Sequence, residues 1–329
     1  MISVLKPGLL TTVQDLGRPG FQQYGIVVGG ALDALAARTA NLIVGNSDAA
    51  AVLEMAQTGP DLRFAQDTLV AWCGADFEAR LGPELLPRDR AVRVAAGETI
   101  SFGFARSGLR AWLAVAGGID VPLVMGSRST YRRAGIGGHE GRPLVAGDRV
   151  KLLPPGDWAK QIVASLQSAK RRATAWTVRP ETMGKPAAAG TVRAVRGPEW
   201  DWFTGEAQHV FFATDWQATR EADRMGVRLE GPALELVKPR EMISSPVNAG
   251  VVQVPAAGQP IVLLPSRQSV GGYPRLAAVA AVDVRRFTQL CPGDKVRFQE
   301  ISLATAHELY LVRERDLNRV RTGLAPLTA

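Results

Sequence analysis

At 329 residues, with 46% hydrophobic and 21% charged residues, the chain can bury a sizeable core, which argues against disorder and predicts two domains or one large all-β unit. Its 39 Lys and Arg against 31 Asp and Glu leave a formal charge of +8, yet the one notable basic run, Lys170-Arg171-Arg172, has no interleaved aromatics and reads as a solvated linker, not a nucleic-acid surface. Cys73 and Cys291 are too few for a disulfide framework and read as structural thiols, and 3 histidines without ligand spacing argue against a zinc site.

Residues 1–10 carry one lysine and an early Pro7-Gly8, so no secretory leader is predicted. The first polar loop follows at once: Thr11-Thr12-Val13-Gln14-Asp15-Leu16-Gly17-Arg18 puts an amide, a carboxylate and a planar cation beside flexible backbone. A turn capped by Asp15 with Arg18 paired to it is the plain structural alternative. Residues 32–44 have helical apolar spacing ended by Gly45, and Asn46 after it reads as ordinary helix punctuation. Short runs such as Leu69-Val70-Ala71-Trp72, Ala111–Val115 and Ile261–Leu264, separated by turn residues, predict many strands in a β-rich barrel or sandwich. All are far too short to cross a membrane, so the cytoplasm is the expected compartment.

Between the strands lies a second polar loop, Gly126-Ser127-Arg128-Ser129-Thr130-Tyr131, with Gly135, Gly137, Gly138 and the lone loop histidine His139 close behind. Residues 154–190 turn Pro-, Ala- and Lys/Arg-rich, which predicts a linker containing one helix around 159–168 and separating domains 1–153 and 191–329. Asp223-Arg224-Met225-Gly226 precedes a strand, with an ion pair at the turn as its structural reading, and Gln253 is an amide within an apolar strand that needs partners if buried. Ser266-Arg267-Gln268-Ser269-Val270-Gly271-Gly272-Tyr273 is the third polar loop; its residues are expected to be replaceable with little cost to folding. Helices are predicted over about 277–290 and 303–310. Ala146-Gly147-Asp148-Arg149-Val150 echoes Pro292-Gly293-Asp294-Lys295-Val296, and Ser127-Arg128-Ser129 echoes Ser266-Arg267-Gln268 in the same order, so a pseudo-symmetric pair of barrels with a site between them is expected.

A guanidinium reads carboxylate, phosphate or a ureido oxygen at two points, which makes Arg18, Arg128 and Arg267 binding candidates. Tyr273 is placed either to donate to a developing oxyanion or to cover a barrel end. No Gly-x-Ser-x-Gly elbow, Walker sequence, dinucleotide fingerprint or biotinylation sequence is present.

The three loops, with Ala134-Gly135-Ile136-Gly137-Gly138 and Val252-Gln253-Val254-Pro255, resemble the allophanate hydrolase subunit 2 family, also called the KipA-type family or the C subunits of 5-oxoprolinase, within the biotin-dependent carboxyltransferases, from about Met1 to about Glu308. The resemblance implies a mainly β protein with a few helices and two cyclophilin-like β-barrel domains packed together. It also implies one component of an ATP-dependent 5-oxoprolinase complex that opens 5-oxoproline to glutamate, active with companion KipI-type and LamB/YcsF-type proteins, ATP being used by the complex. Carboxyl transfer to urea or another amide, with biotin on a partner, and a regulatory KipA-type binding role are the alternatives. On the 5-oxoprolinase reading Asp15, Arg267, Gln268 and Tyr273 are the catalytic candidates, and Gln14, Arg18, Ser127, Arg128, Ser129, Arg224, Gln253, Gly271 and Gly272 the substrate-binding ones. The arginines would hold a carboxylate or phosphorylated lactam, Gln14 and Gln268 read the amide, and Asp15 orient water or a donor. Where the family pattern commonly has an acidic residue this chain has Ser266, which removes a carboxylate from any such scheme.

Overall fold

The short apolar runs form strands that are buried throughout, as at Leu69–Trp72 and Ala111–Val115, while other strands alternate, as over 295–300. The computed structural model describes residues 1–178 and 190–324, and these fall into two units, one of residues 1–18, 29–178 and 315–324, the other of 19–28 and 190–314. The chain therefore leaves and re-enters the first unit around residues 19–28 and returns to it at its last helix, in contrast to the contiguous domains the sequence predicts.

The first unit contains β1 (Ile2–Lys6), β2 (Leu10–Gln14), α1 (Ala34–Ile43), β3 (Val52–Ala56), β4 (Asp61–Phe64), β5 (Thr68–Leu81), β6 (Glu84–Leu85), β7 (Val92–Val94), β8 (Thr99–Val115), β9 (Ile119–Asp120), β10 (Arg149–Leu152) and α2 (Asp157–Ser168). Its ten strands form one sheet in the order β2-β3-β8-β4-β1-β10-β9, with β5 on β8 and with β6 and β7 on β5. Register shifts between Gly74 and Ala79 bend the long β5–β8 ribbon, and Trp72 meets Phe102 edge-on inside it with centroids 5.3 Å apart. Asp33 caps α1 by accepting from the Ala36 amide at 3.0 Å. Gly45 ends it at a φ of +75°, and a Cβ there would stand 2.6 Å from the Trp158 ring of α2, so glycine is required twice over. Cys73 lies wholly buried, and burial, followed by Asp89, pushes its thiol well above the ordinary range, which leaves it inert.

The predicted linker is, over its described part, a packed piece of the first unit. α2 buries Ala159, Ile162 and Leu166. Beyond it the chain runs beside β7: Arg172 and Ala91 carbonyls accept from the Arg93 and Thr174 amides at 2.8 and 3.0 Å, and Arg172 meets Glu98 at 2.7 Å. Weak periodicity here marks an irregular segment with specific partners, not an unattached one. Residues 179–189 of that span lie outside the described residues.

The second unit contains β11 (Gly190–Arg196), α3 (Gly205–Ala213), β12 (Asp215–Ala218), β13 (Gly226–Glu230), β14 (Ser245–Pro246), β15 (Val251–Gln253), β16 (Ile261–Leu263), β17 (Val270–Gly271), β18 (Arg275–Val279), α4 (Val284–Phe287), β19 (Lys295–Glu300) and the first half of α5 (Leu303–Leu324). Seven strands close a barrel, β11-β18-β15-β16-β13-β12-β19, while β14 and β17 form a separate ribbon. Only the β11–β19 pair within the barrel is parallel. Phe211 stacks on Phe298 at 4.4 Å at its centre. Of the helix expected over 277–290, residues 277–279 belong to β18, whose ladders to β11 and β15 override the helix preference of its alanines, a turn follows, and α4 alone is helical. Among the described residues no helix is long and apolar enough to cross a membrane.

The sequence echo is a repeated turn. Asp148 Oδ2 accepts from the Val145 amide and Asp294 Oδ2 from the Cys291 amide, both at 2.8 Å, with Gly147 and Gly293 at φ of +93° and +95° between them. Asp148 is also gripped by both terminal nitrogens of Arg142, at 2.8 and 2.9 Å, which holds its carboxyl down at about 2. Because the folded value lies below the ordinary carboxyl range, the stabilisation is fully present above about pH 4 and is lost as pH falls through about 2. Asp148→Asn is therefore expected to cost about 2 kcal/mol in urea unfolding at pH 7 and much less at pH 2.5. An equal cost at both pH values would assign the loss to packing.

Candidate functional site

β2 ends at Gln14 and delivers Asp15 beneath the 127–129 loop, 112 or more residues away in the chain. Four donors converge on the Asp15 carboxylate: the Ser127 and Ser129 hydroxyls at 2.6 and 2.5 Å, the Gly17 amide at 2.8 Å and the Arg128 amide at 2.5 Å. The Asp15 amide donates in turn to Ser129 Oγ at 2.8 Å, and the Asp15 carbonyl accepts from Ala31 at 2.8 Å. At 7% exposure and with as many donors as a carboxylate has lone pairs, Asp15 is an anchor. What it orients here is the backbone of Arg128. Gly30 makes the fit possible, since a Cβ on it would lie 2.7 Å from the Gly17 nitrogen.

Arg18 is 1% exposed and does not pair with Asp15. Its Nη2 donates to the Ser129 carbonyl and its Nε to that of Val124 at 3.4 Å, while Nη1 has no partner among the described residues. Burial lowers its pKa, partly opposed by Asp15 and Tyr131. Gln14 is equally buried; its amide nitrogen donates to Thr12 Oγ1 and the Thr130 carbonyl at 3.1 and 3.3 Å, and its Oε1 has no partner among the described residues. Both side chains thus brace the loop from inside.

Arg128 is different. Its amide is fixed by Asp15 and its Nε donates to the Val121 carbonyl at 3.0 Å, whereas its two terminal nitrogens have no partner among the described residues. It lines two clefts of the first unit. One, of about 440 Å³, is walled by Asp15, Leu16, Gly17, Asn46 and Gly126. The other, of about 690 Å³, is walled by Asp120, Gly138, His139, Arg149 and Lys151. His139 Nε2 stands 3.4 Å from Asp148. Thr130, Asn46 and the carbonyls of Val121 and Val124 are not among the site residues expected from the sequence. Asn46 had a weak signal: it does punctuate α1, bonding the Val115 carbonyl and the Gly117 amide at 2.8 Å each, and lines the cleft as a by-product.

The remaining candidates belong to the second unit. Arg267 is not an exposed loop fork: it is 9% exposed, with Nε on the Val247 carbonyl at 3.0 Å and longer contacts to Pro265 and Asn248. Burial alone lowers its pKa, with no carboxylate to oppose it. Gln253 is buried and donates to the Tyr273 carbonyl at 3.3 Å; a Cβ on Gly271 would lie 2.5 Å from that amide, so Gly271 serves this packing. Gly272 lies next to it, Gln268 is half-buried, and Tyr273 is 48% exposed. Asp223 spends its carboxylate on the Met225 and Gly226 amides at 2.7 and 3.2 Å, and Arg224 is half-buried at that turn. The geometry therefore singles out Arg128 as a cation held rigidly with its bidentate edge available, next to backbone-lined space suited to a small acid or amide. No group of three or more His, Cys, Asp or Glu able to hold a metal occurs among the described residues.

The family model for the carboxyltransferase domain, subdomain A and B, matches residues 24–300. The C subunit of the Escherichia coli K12 5-oxoprolinase is 40% identical over 306 residues, 93% of each chain, and that of Haemophilus influenzae is 34% identical over 98% of each. The crystal structure of the Kluyveromyces lactis urea amidolyase superposes with a TM-score of 0.86 at 27% identity, covering 97% of this chain and 20% of that one. This chain thus spans about a fifth of the amidolyase. It belongs to the carboxyltransferase-domain family, subdomain A and B, alongside the C subunits of 5-oxoprolinase.

Proposed function

We propose that the chain is the C-type component of a cytoplasmic, ATP-consuming 5-oxoprolinase that opens 5-oxoproline to glutamate together with KipI-type and LamB/YcsF-type subunits. The observation that carries this reading is the match at 40% identity over 93% of both chains to a protein named as the C subunit of 5-oxoprolinase. The first unit supplies a compatible site: the 440 Å³ cleft is roomy for a five-membered lactam, and Arg128 offers its carboxylate a two-point grip. Asp15 keeps that grip in place, and the glycine-lined wall lets backbone amides approach the ring. Hydrolysis of ATP supplies the driving force within the complex, and no step on this chain is assigned to it.

The test is reconstitution. Phosphate release that depends on 5-oxoproline is expected only when the chain is combined with both companion subunits. The structural match to the urea amidolyase supports a second reading, a carboxyltransferase component served by a partner's biotin. Urea-dependent loss of carboxyl from carboxybiotin, without any response to 5-oxoproline, would replace the first reading with the second.

A further inference from the structure

We infer that the larger cleft of the first unit is a separate anion site that takes a phosphate-bearing ligand, and that Arg128 stands between it and the smaller cleft. Arg128 and Leu123 wall both spaces. Arg149 and Lys151 flank the buried Val150 on β10, so they project from one face of the strand, and both line the larger cleft. Neither forms an ion pair among the described residues. Three cations, Arg128, Arg149 and Lys151, line the cleft with two carboxylates. Glu140 is already held by Arg142 at 2.5 Å. Asp120 stands opposite Lys151 in the β9–β10 ladder and balances that one ammonium.

Two guanidinium groups therefore remain without a counter-charge around a space of about 690 Å³. A single carboxylate occupies one guanidinium edge; a tetrahedral phosphate has oxygens and charge for two. The volume is larger than a bare phosphate needs, which leaves room for the remainder of a phosphorylated molecule. Arg128 has one unspent edge, so anions in the two clefts compete for it and occupancy of the two is expected to be negatively coupled.

Isothermal titration of the full chain with pyrophosphate, inorganic phosphate and glutarate tests this without any catalytic assay. Saturable binding of pyrophosphate at one site is expected, weakened at least about tenfold in Arg149→Gln, the loss that one charge-assisted contact implies, and much less in Lys151→Gln, whose ammonium Asp120 balances. Inorganic phosphate binding with pyrophosphate excluded would replace an extended phosphate ligand by a free ion and overturn the inference. Both replaced residues are exposed, so melting temperatures should stay unchanged and a lost signal cannot be an unfolded protein. Absence of saturable pyrophosphate binding, an affinity in Arg149→Gln equal to that of the unaltered chain, or glutarate binding as tightly as pyrophosphate would also overturn it. The 5-oxoprolinase reading stands or falls on reconstitution instead, which this titration does not use.

Discussion

Asp15→Ala is expected to be among the most damaging single changes in the first unit, lowering stability by about 3 kcal/mol. The carboxylate accepts from two hydroxyls and two backbone amides, and the methyl group left behind accepts from none. The serines can turn toward each other, but the amides of Gly17 and Arg128 cannot, so the penalty falls on groups fixed by the backbone. Asp15→Asn should recover part of the loss, because one amide oxygen still accepts while its nitrogen faces other donors. Urea unfolding of both variants at pH 7 measures the difference. A cost below about 1 kcal/mol for the alanine would mean that water replaces the carboxylate and that the clamp is not structural.

Arg128→Ala separates activity from stability. Its amide, the part that Asp15 holds, remains in the variant, and only the Nε bond to the Val121 carbonyl is removed, so unfolding should shift by less than about 1 kcal/mol. Turnover of 5-oxoproline by the reconstituted complex should nevertheless fall at least about a hundredfold, the scale set by losing one oriented charged donor. Arg128→Lys should stay close to the alanine value, since an ammonium lacks the two-point edge. Steady-state kinetics with a parallel melting curve decide it, and near-normal turnover in the alanine variant would remove Arg128 from the site. Arg267 cannot serve this purpose. It is buried against three polar partners, so its removal is expected to lower stability and activity together.

Local chemistry was legible in the sequence wherever neighbouring residues decide the backbone. The Gly45 stop, the Gly147-Asp148 and Gly293-Asp294 turns and the short apolar strands all depend on a few neighbouring residues, and each appears where the pattern placed it, whereas the Asp33 cap starts α1 two residues later than the apolar spacing did. The polar loops were visible for the same reason, because glycine beside Arg, Gln and Asp is informative without knowing what lies opposite. Tertiary structure decided what each polar residue touches. Gln14, Asp15 and Arg18 stand in the first polar loop and Arg128 in the second, yet the first three turn inward to carbonyls and hydroxyls more than a hundred residues away, whereas Arg128 lines both clefts with its two terminal nitrogens unspent. The same long-range pairing made a strand of 275–279 against its alanine content and fastened the described part of the supposed linker to β7. Burial of a charge and closure of a sheet depend on partners distant in the chain, and no local pattern of residues carries that information.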